Sequence, residues 1–240
     1  MQNLTSREKK TQKLKMVSKE SINKSLHTIR NKLGDACLIA VTKYSNFEEI
    51  KLAYQCGQKD FGENKVQDLI SKSEKCNYPD IKWHFIGHLQ SNKVKQLLGV
   101  PHLVAIHSID SIKLVKELIK RKKSFKGSSL KLFFQVNTSG EEEKSGFKSR
   151  EELVEALKLA QQQLLDKTFL FAGLMTIGRI RTEHFEEDAK NCFEKMVDLK
   201  NDISTEFGKI KLSMGMSQDY ELALKYGSDY IRVGSKIFKG

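Results

Sequence analysis

Cys37-Leu-Ile-Ala-Val-Thr-Lys43-Tyr44, followed at once by Asn46-Phe-Glu-Glu49, decides the fold of this chain. Leu38 to Val41 are apolar at every position, the pattern of a strand buried on both faces, as a parallel sheet requires. Asn46 with Glu49 three residues on is a capping-box start for a helix. A buried strand that runs straight into a helix is the α/β handover, and Lys43 stands at its carboxyl end, where such proteins place their ligands. The expectation is a partly desolvated lysine, and burial favours the neutral form of an amine. A neutral amine attacks aldehydes, so Lys43 is a candidate anchor for a carbonyl cofactor held as a Schiff base. A lysine snorkelling at a strand end is the alternative.

The same handover repeats along the chain. An amphipathic helix with Ile22, Leu26, Ile29 and Leu33 on one face precedes the first strand and stops at Gly34. Further strands are expected at Lys59 to Glu63, Ile81 to Ile86, His102 to Ile109, Leu130 to Val136, Thr168 to Thr176, Lys211 to Met214 and Tyr230 to Val233. Helical patterns lie between them, including Ser149-Arg-Glu-Glu152 as a second capping box and Gln218 to Tyr226 with Ser217 at its N-cap. Eight such units in 240 residues predict an α/β fold, a single (β/α)8 TIM barrel with an extra N-terminal helix; a doubly wound sheet is the runner-up, because periodicity orders elements without closing them. No proline- or glycine-rich linker divides the chain. One domain over 1–240 is expected, with 1–34 packing on the barrel as the helical extension.

The unusual segments fall where strands hand over to helices, so a barrel gathers them on one rim with Lys43. Phe61-Gly-Glu-Asn64 supplies Asn64, a short neutral side chain suited to ligand contact, and Glu63, either a general base or a carboxylate at a helix start. His84, in Trp83-His-Phe85, either faces the mouth or is a satisfied core histidine. After strands seven and eight come Gly215 with Ser217 and Gly234 with Ser235. Glycines let a backbone approach closely, and amide N–H groups with hydroxyls satisfy phosphate oxygens; plain helix capping by Ser217 is the competing reading. Asp219 would repel a phosphate if turned inward. An amine on strand one and a phosphate cradle on strands seven and eight describe a pocket for pyridoxal phosphate.

Ala40-Val-Thr-Lys43, Phe61-Gly-Glu-Asn64, Trp83-His-Phe-Ile-Gly87, Leu89-Gln-Ser-Asn-Lys93, Lys144-Ser-Gly146, Gly173-Leu-Met175, Leu212-Ser-Met-Gly-Met-Ser217 and Val233-Gly234 together resemble the pyridoxal phosphate homeostasis protein family. The likeness runs in order from about residue 20 onward and implies a PLP fold type III barrel, similar to the barrel domain of alanine racemase but without a second domain. It implies that Lys43 forms the internal aldimine, that Ser217, Gly234 and Ser235 hold the phosphate with Gly215 shaping the turn, and that Arg232 faces the pyridine nitrogen. It also implies a protein that binds, buffers and delivers the cofactor to apo-enzymes that require it, without robust catalysis. A PLP-dependent amino-acid racemase or decarboxylase is the alternative, and it lacks a second acid–base group, since Tyr44 in an extended strand would point to the opposite face from Lys43. Tyr44-Ser-Asn46, Ser217-Gln218 and the ending Phe238-Lys-Gly240 depart from the family pattern.

Composition narrows the rest. The formal charge is +12, but the lysines are scattered among glutamates, and the densest cluster, Lys120-Arg-Lys-Lys123, closes a helix where cations meet the negative dipole end. A solvated surface with no nucleic-acid site is therefore expected. No apolar run approaches the ~20 residues of a membrane span, and Met1 to Glu20 lacks the apolar core of a secretory signal. Cys37, Cys56, Cys76 and Cys192 show no metal-ligand spacing. A cytoplasmic protein, monomeric or weakly homodimeric, is the resulting expectation.

Overall fold

A computed structural model describes residues 17–76, 78–178 and 182–239. The polar start of the chain before residue 17, including part of the expected N-terminal extension, lies outside them. Eight strands occur in order: β1 (Cys37–Val41), β2 (Asp60–Glu63), β3 (Lys82–Phe85), β4 (Leu103–Ile109), β5 (Leu130–Gln135), β6 (Phe169–Met175), β7 (Lys211–Ser213) and β8 (Tyr230–Val233). Each pairs in parallel with its neighbour in sequence, and β8 pairs back onto β1, with Cys37 opposite Tyr230 and Ala40 opposite Val233. The ring is closed, so the barrel reading holds and the doubly wound sheet falls.

Helices alternate with the strands. They are α1 (Lys19–Arg30), α2 (Phe47–Gln55), α3 (Val66–Lys75), α4 (Val94–Leu98), α5 (Ile112–Arg121), α6 (Arg150–Gln163), α7 (Phe185–Phe207), α8 (Tyr220–Lys225) and the single turn α9 (Ser235–Phe238). The start of α2 is the expected capping box: Asn46 accepts the Glu49 amide while Glu49 accepts the Asn46 amide. A cap of this kind contributes about 1 kcal/mol. Ser149 caps α6 as expected, although Glu152 there reaches the Lys148 amide instead of closing the box on Ser149.

Two apolar regions hold the molecule. The larger lies between strands and helices, where Trp83, Phe61, Phe85, Phe134 and Phe169 are buried; each such side chain contributes about 1.5–3 kcal/mol. The smaller fills the barrel lumen with Ile39, Ala105, Phe133, Met175 and Tyr230. Helix α1 buries Ile22, Leu26 and Ile29, and Arg30 ties it down by donating to the Cys56 carbonyl and to Gln58 Oε1. Among the described residues no helix is long and apolar enough to cross a membrane.

Candidate functional site

The pairing of β8 with β1 brings the two ends of the barrel wall together at its C-terminal mouth. Val41 closes β1 and Gly234 follows β8, and a Cβ at Gly234 would stand 2.9 Å from the Val41 carbonyl oxygen. Only a residue without a side chain fits that contact, and it sets Gly234 and Ser235 beside the segment that carries Lys43. On the other side, the Gly234 N–H donates to Ser217 Oγ at 3.2 Å, which joins the loops after β7 and β8. Ser217 is therefore no helix cap: α8 starts later, with Asp219 at its N-cap. The capping reading of Ser217 is overturned by this cross-loop bond.

Gly215 makes the turn that permits it. Its φ is +90°, a conformation open to glycine, and a Cβ there would fall 2.5 Å from Ala223 Cβ. Its carbonyl accepts the Arg232 N–H at 2.9 Å. Lys43, Gly215, Ser217, Arg232, Gly234 and Ser235 are thus gathered at one side of the mouth. Asn64 stands one strand further round, half-buried, with its backbone oxygen pressed against Gly87. It shares the rim, but among the described residues no hydrogen bond joins it to the cradle.

Lys43 itself departs from expectation. It is exposed, because β1 ends at Val41 and the chain has already left the barrel wall. Tyr44 has also left the strand, so strand alternation does not separate the two: the Lys43 Nζ lies 5.0 Å from the Tyr44 ring centroid, and Lys239 Nζ lies 5.3 Å from the same ring. Tyr44 is 79% exposed.

Glu63 takes neither of its expected roles. It is fully buried beneath the rim, where Thr42 Oγ1 donates to its Oε1 at 2.6 Å and Lys72 Nζ bonds the same oxygen and the Thr42 carbonyl. The pair fastens the end of β1 one residue before Lys43. Asp219 is turned in and buried; burial pushes its carboxyl up, against the pull of the Met216 amide it accepts and of nearby Arg232.

Arg232 is the buried cation of the mouth. Nη1 donates to the Ser213 carbonyl and hydroxyl, each at 2.8 Å, and Nη2 to the Thr176 carbonyl at 2.7 Å. Burial lowers its pKa to about 10, partly offset by Asp219, so it stays charged at neutral pH. His84 resolves as a core histidine: its Nε2 is 3.0 Å from Asp60 Oδ1 and its Nδ1 3.0 Å from His107 Nε2. His107 in turn meets Ser213 Oγ at 2.9 Å. Asp60, His107 and Thr176 carry no local motif; Ser213 lies within Leu212-Ser-Met-Gly-Met-Ser217 but nothing singles it out there, and alternation along β4 and β7 is the signal that points His107 and Ser213 inward.

No family model matches the chain. The barrel aligns with alanine racemase from E. faecalis at a TM-score of 0.67 and 16% identity, over 91% of this chain and 57% of that one, a likeness of fold alone. The closed ring of eight parallel strands and this likeness define the class by fold: a (β/α)8 barrel of the alanine racemase kind. PipY of Synechococcus elongatus, solved with PLP bound, is 32% identical with a TM-score of 0.78, over 90% of this chain and 99% of that one. The Schizosaccharomyces pombe pyridoxal phosphate homeostasis protein is 39% identical over 225 residues, 91% of this chain and 92% of that protein. The chain belongs to the pyridoxal phosphate homeostasis protein family.

Proposed function

We propose that this protein holds pyridoxal 5'-phosphate covalently through Lys43 and maintains its supply, as a cytoplasmic carrier serving apo-enzymes that require it. The reading takes 1–240 as one barrel domain, acting as a monomer or weak homodimer. The observation that carries it is the Ser217–Gly234–Val41 junction, which sets a glycine-lined cradle of hydroxyls and amides against the segment bearing an exposed lysine amine. The residues present fit the cofactor: Ser217, Ser235 and the Gly234 amide for the phosphate, with Gly215 shaping the turn, Arg232 for the ring nitrogen, and Asn64 on the adjoining rim; the inward Asp219 is engaged by the Met216 amide and offset by the Arg232 charge.

When bound, pyridoxal phosphate supplies an aldehyde for a lysine and a pyridine ring that withdraws electrons. Arg232 decides how strongly it withdraws. A guanidinium donates and never accepts, so Arg232 would meet the ring nitrogen as a hydrogen-bond donor and would leave that nitrogen unprotonated, which would make the ring a poor electron sink. That favours holding over turnover, and a racemase or decarboxylase activity is the alternative.

The test is the absorbance spectrum of the protein with added cofactor, followed by borohydride reduction and peptide mapping. The label is expected on Lys43. Lys43→Ala should lose the covalent band while keeping its fold, since an exposed lysine leaves no core cavity, and should retain weaker non-covalent binding. A label carried by a different lysine in the unaltered protein overturns the assignment.

A further inference from the structure

A chain of side-chain hydrogen bonds crosses the barrel lumen from floor to mouth. It starts at Asp60, the first residue of β2, passes through His84 on β3 and His107 on β4 to Ser213, the last residue of β7, and ends on Arg232 of β8. Its links measure 3.0, 3.0, 2.9 and 2.8 Å. Both imidazoles are buried, and burial holds both below the ordinary histidine range, so they are neutral at pH 7. Burial raises the Asp60 carboxyl, but its bond to His84 and the nearby lysines, Lys82 and Lys131, outweigh that and keep it ionised.

The ends of the chain fix its direction. Arg232 can only donate, and an ionised Asp60 can only accept. The bonds therefore all point one way: Arg232 Nη1–H to Ser213 Oγ, Ser213 O–H to His107 Nδ1, His107 Nε2–H to His84 Nδ1, and His84 Nε2–H to Asp60 Oδ1. Each imidazole is the Nε2–H tautomer. Were His107 protonated on Nδ1 instead, its bare Nε2 would face the bare Nδ1 of His84 and the Ser213 proton would lose this acceptor, in a buried site where an unmade hydrogen bond is costly.

We propose that Asp60, His84, His107 and Ser213 are positioning residues, a single-direction chain through which the floor carboxylate Asp60 fixes the orientation that Arg232 presents at the barrel mouth. Nothing in this step requires a ligand. Its reach to the pyridine ring rests on the function proposed above.

Two measurements separate the two. In protein labelled with 15N-histidine, without cofactor, His84 and His107 should each show an unprotonated Nδ1 and a protonated Nε2 at pH 7; an Nδ1–H on either one overturns the proposal. Asp60→Val removes the acceptor and should replace the single tautomer of His107 with a mixture. Asp60→Asn keeps an acceptor oxygen and should preserve it. An unaltered His107 tautomer in Asp60→Val overturns the coupling. With pyridoxal phosphate added, the absorbance maximum should move in Asp60→Val and not in Asp60→Asn. One shared spectrum, with the His107 change present, overturns the reach to the ring and leaves the tautomer result standing; no cofactor band in the unaltered protein would count against the proposed function alone.

Discussion

Ser217 Oγ accepts the Gly234 amide N–H at 3.2 Å, so the loops after β7 and β8 are tied to each other by the same two groups that would meet a phosphate. The cradle is preorganised by its own bond. A charged acceptor makes a stronger partner for both groups, because hydrogen bonds to charged groups are worth about 1.5–3 kcal/mol. Ser217→Ala should weaken cofactor affinity by roughly tenfold or more by that magnitude, and Ser235→Ala likewise, with the covalent band retained. Spectroscopic titration measures it; unchanged affinity in both variants would place the phosphate elsewhere.

Lys72 and Glu63 form an ion pair with the carboxylate fully buried. Removing one partner of a buried pair strands the other charge, at a cost of about 3–5 kcal/mol. Lys72→Met should therefore lower stability in urea unfolding by that amount, and adding Glu63→Gln should recover much of it. Equal stability of the single variant and the unaltered protein would mean that water reaches Glu63.

His84 and His107 make stability depend on pH. Their folded-state pKa values are depressed, so below about 6.5 the unfolded chain takes up protons that the folded one refuses. The unfolded state then binds more protons, and stability falls on acidification, by up to about 1.4 kcal/mol per pH unit for a histidine that stays neutral in the folded state. Asp60 acts in the same direction lower down, contributing stability above its unfolded value near 3.8 that is lost as pH drops through its depressed folded value. His107→Phe should flatten the slope between pH 6.5 and 5 by about one histidine's share; an unchanged slope contradicts the neutral assignment.

Arg232 as a donor to the ring nitrogen predicts slow chemistry at the α-carbon of amino acids. Deuterium wash-in to alanine by the cofactor-saturated protein should run far below the ordinary enzymatic rate of about 1 per second. Exchange at that rate would promote the racemase alternative. Arg232→Glu favours ring protonation and should speed exchange while weakening binding, since its charge is placed near the phosphate.

The order of elements was legible because parallel strands buried on both faces write continuous apolar runs, as Leu38 to Val41 and Leu103 to Ile106 do. The placement of Lys43 and of the paired glycine–serine loops after strands was legible because strand ends are punctuated locally. What stayed hidden is set by distance along the chain. His107 reaches Ser213 across 106 positions, and His84 reaches Asp60 across 24, contacts that depend on barrel closure and leave no mark in either neighbourhood. Ser217 and Glu63 misled for a related reason: each looks like a helix-end residue locally, and each is claimed by a partner from another strand or helix. Lys43 misled by two residues, the gap between the end of β1 and the lysine.

The seam between β8 and β1 also orders events in time. A ribosome delivers Lys43 early and Gly234 near the end of the described chain, and the segments that carry them come together, through Val41, only when the last strand docks beside the first. If the proposed site is the binding site, a nascent chain of seven strands has the amine but no cradle, and a phosphate-bearing ligand would not be captured there during most of synthesis. Capture is a timestamp for the final docking step. Synthesis arrested at successive lengths, with cofactor present, would show binding switch on only after β8 and the turn that follows have left the exit tunnel.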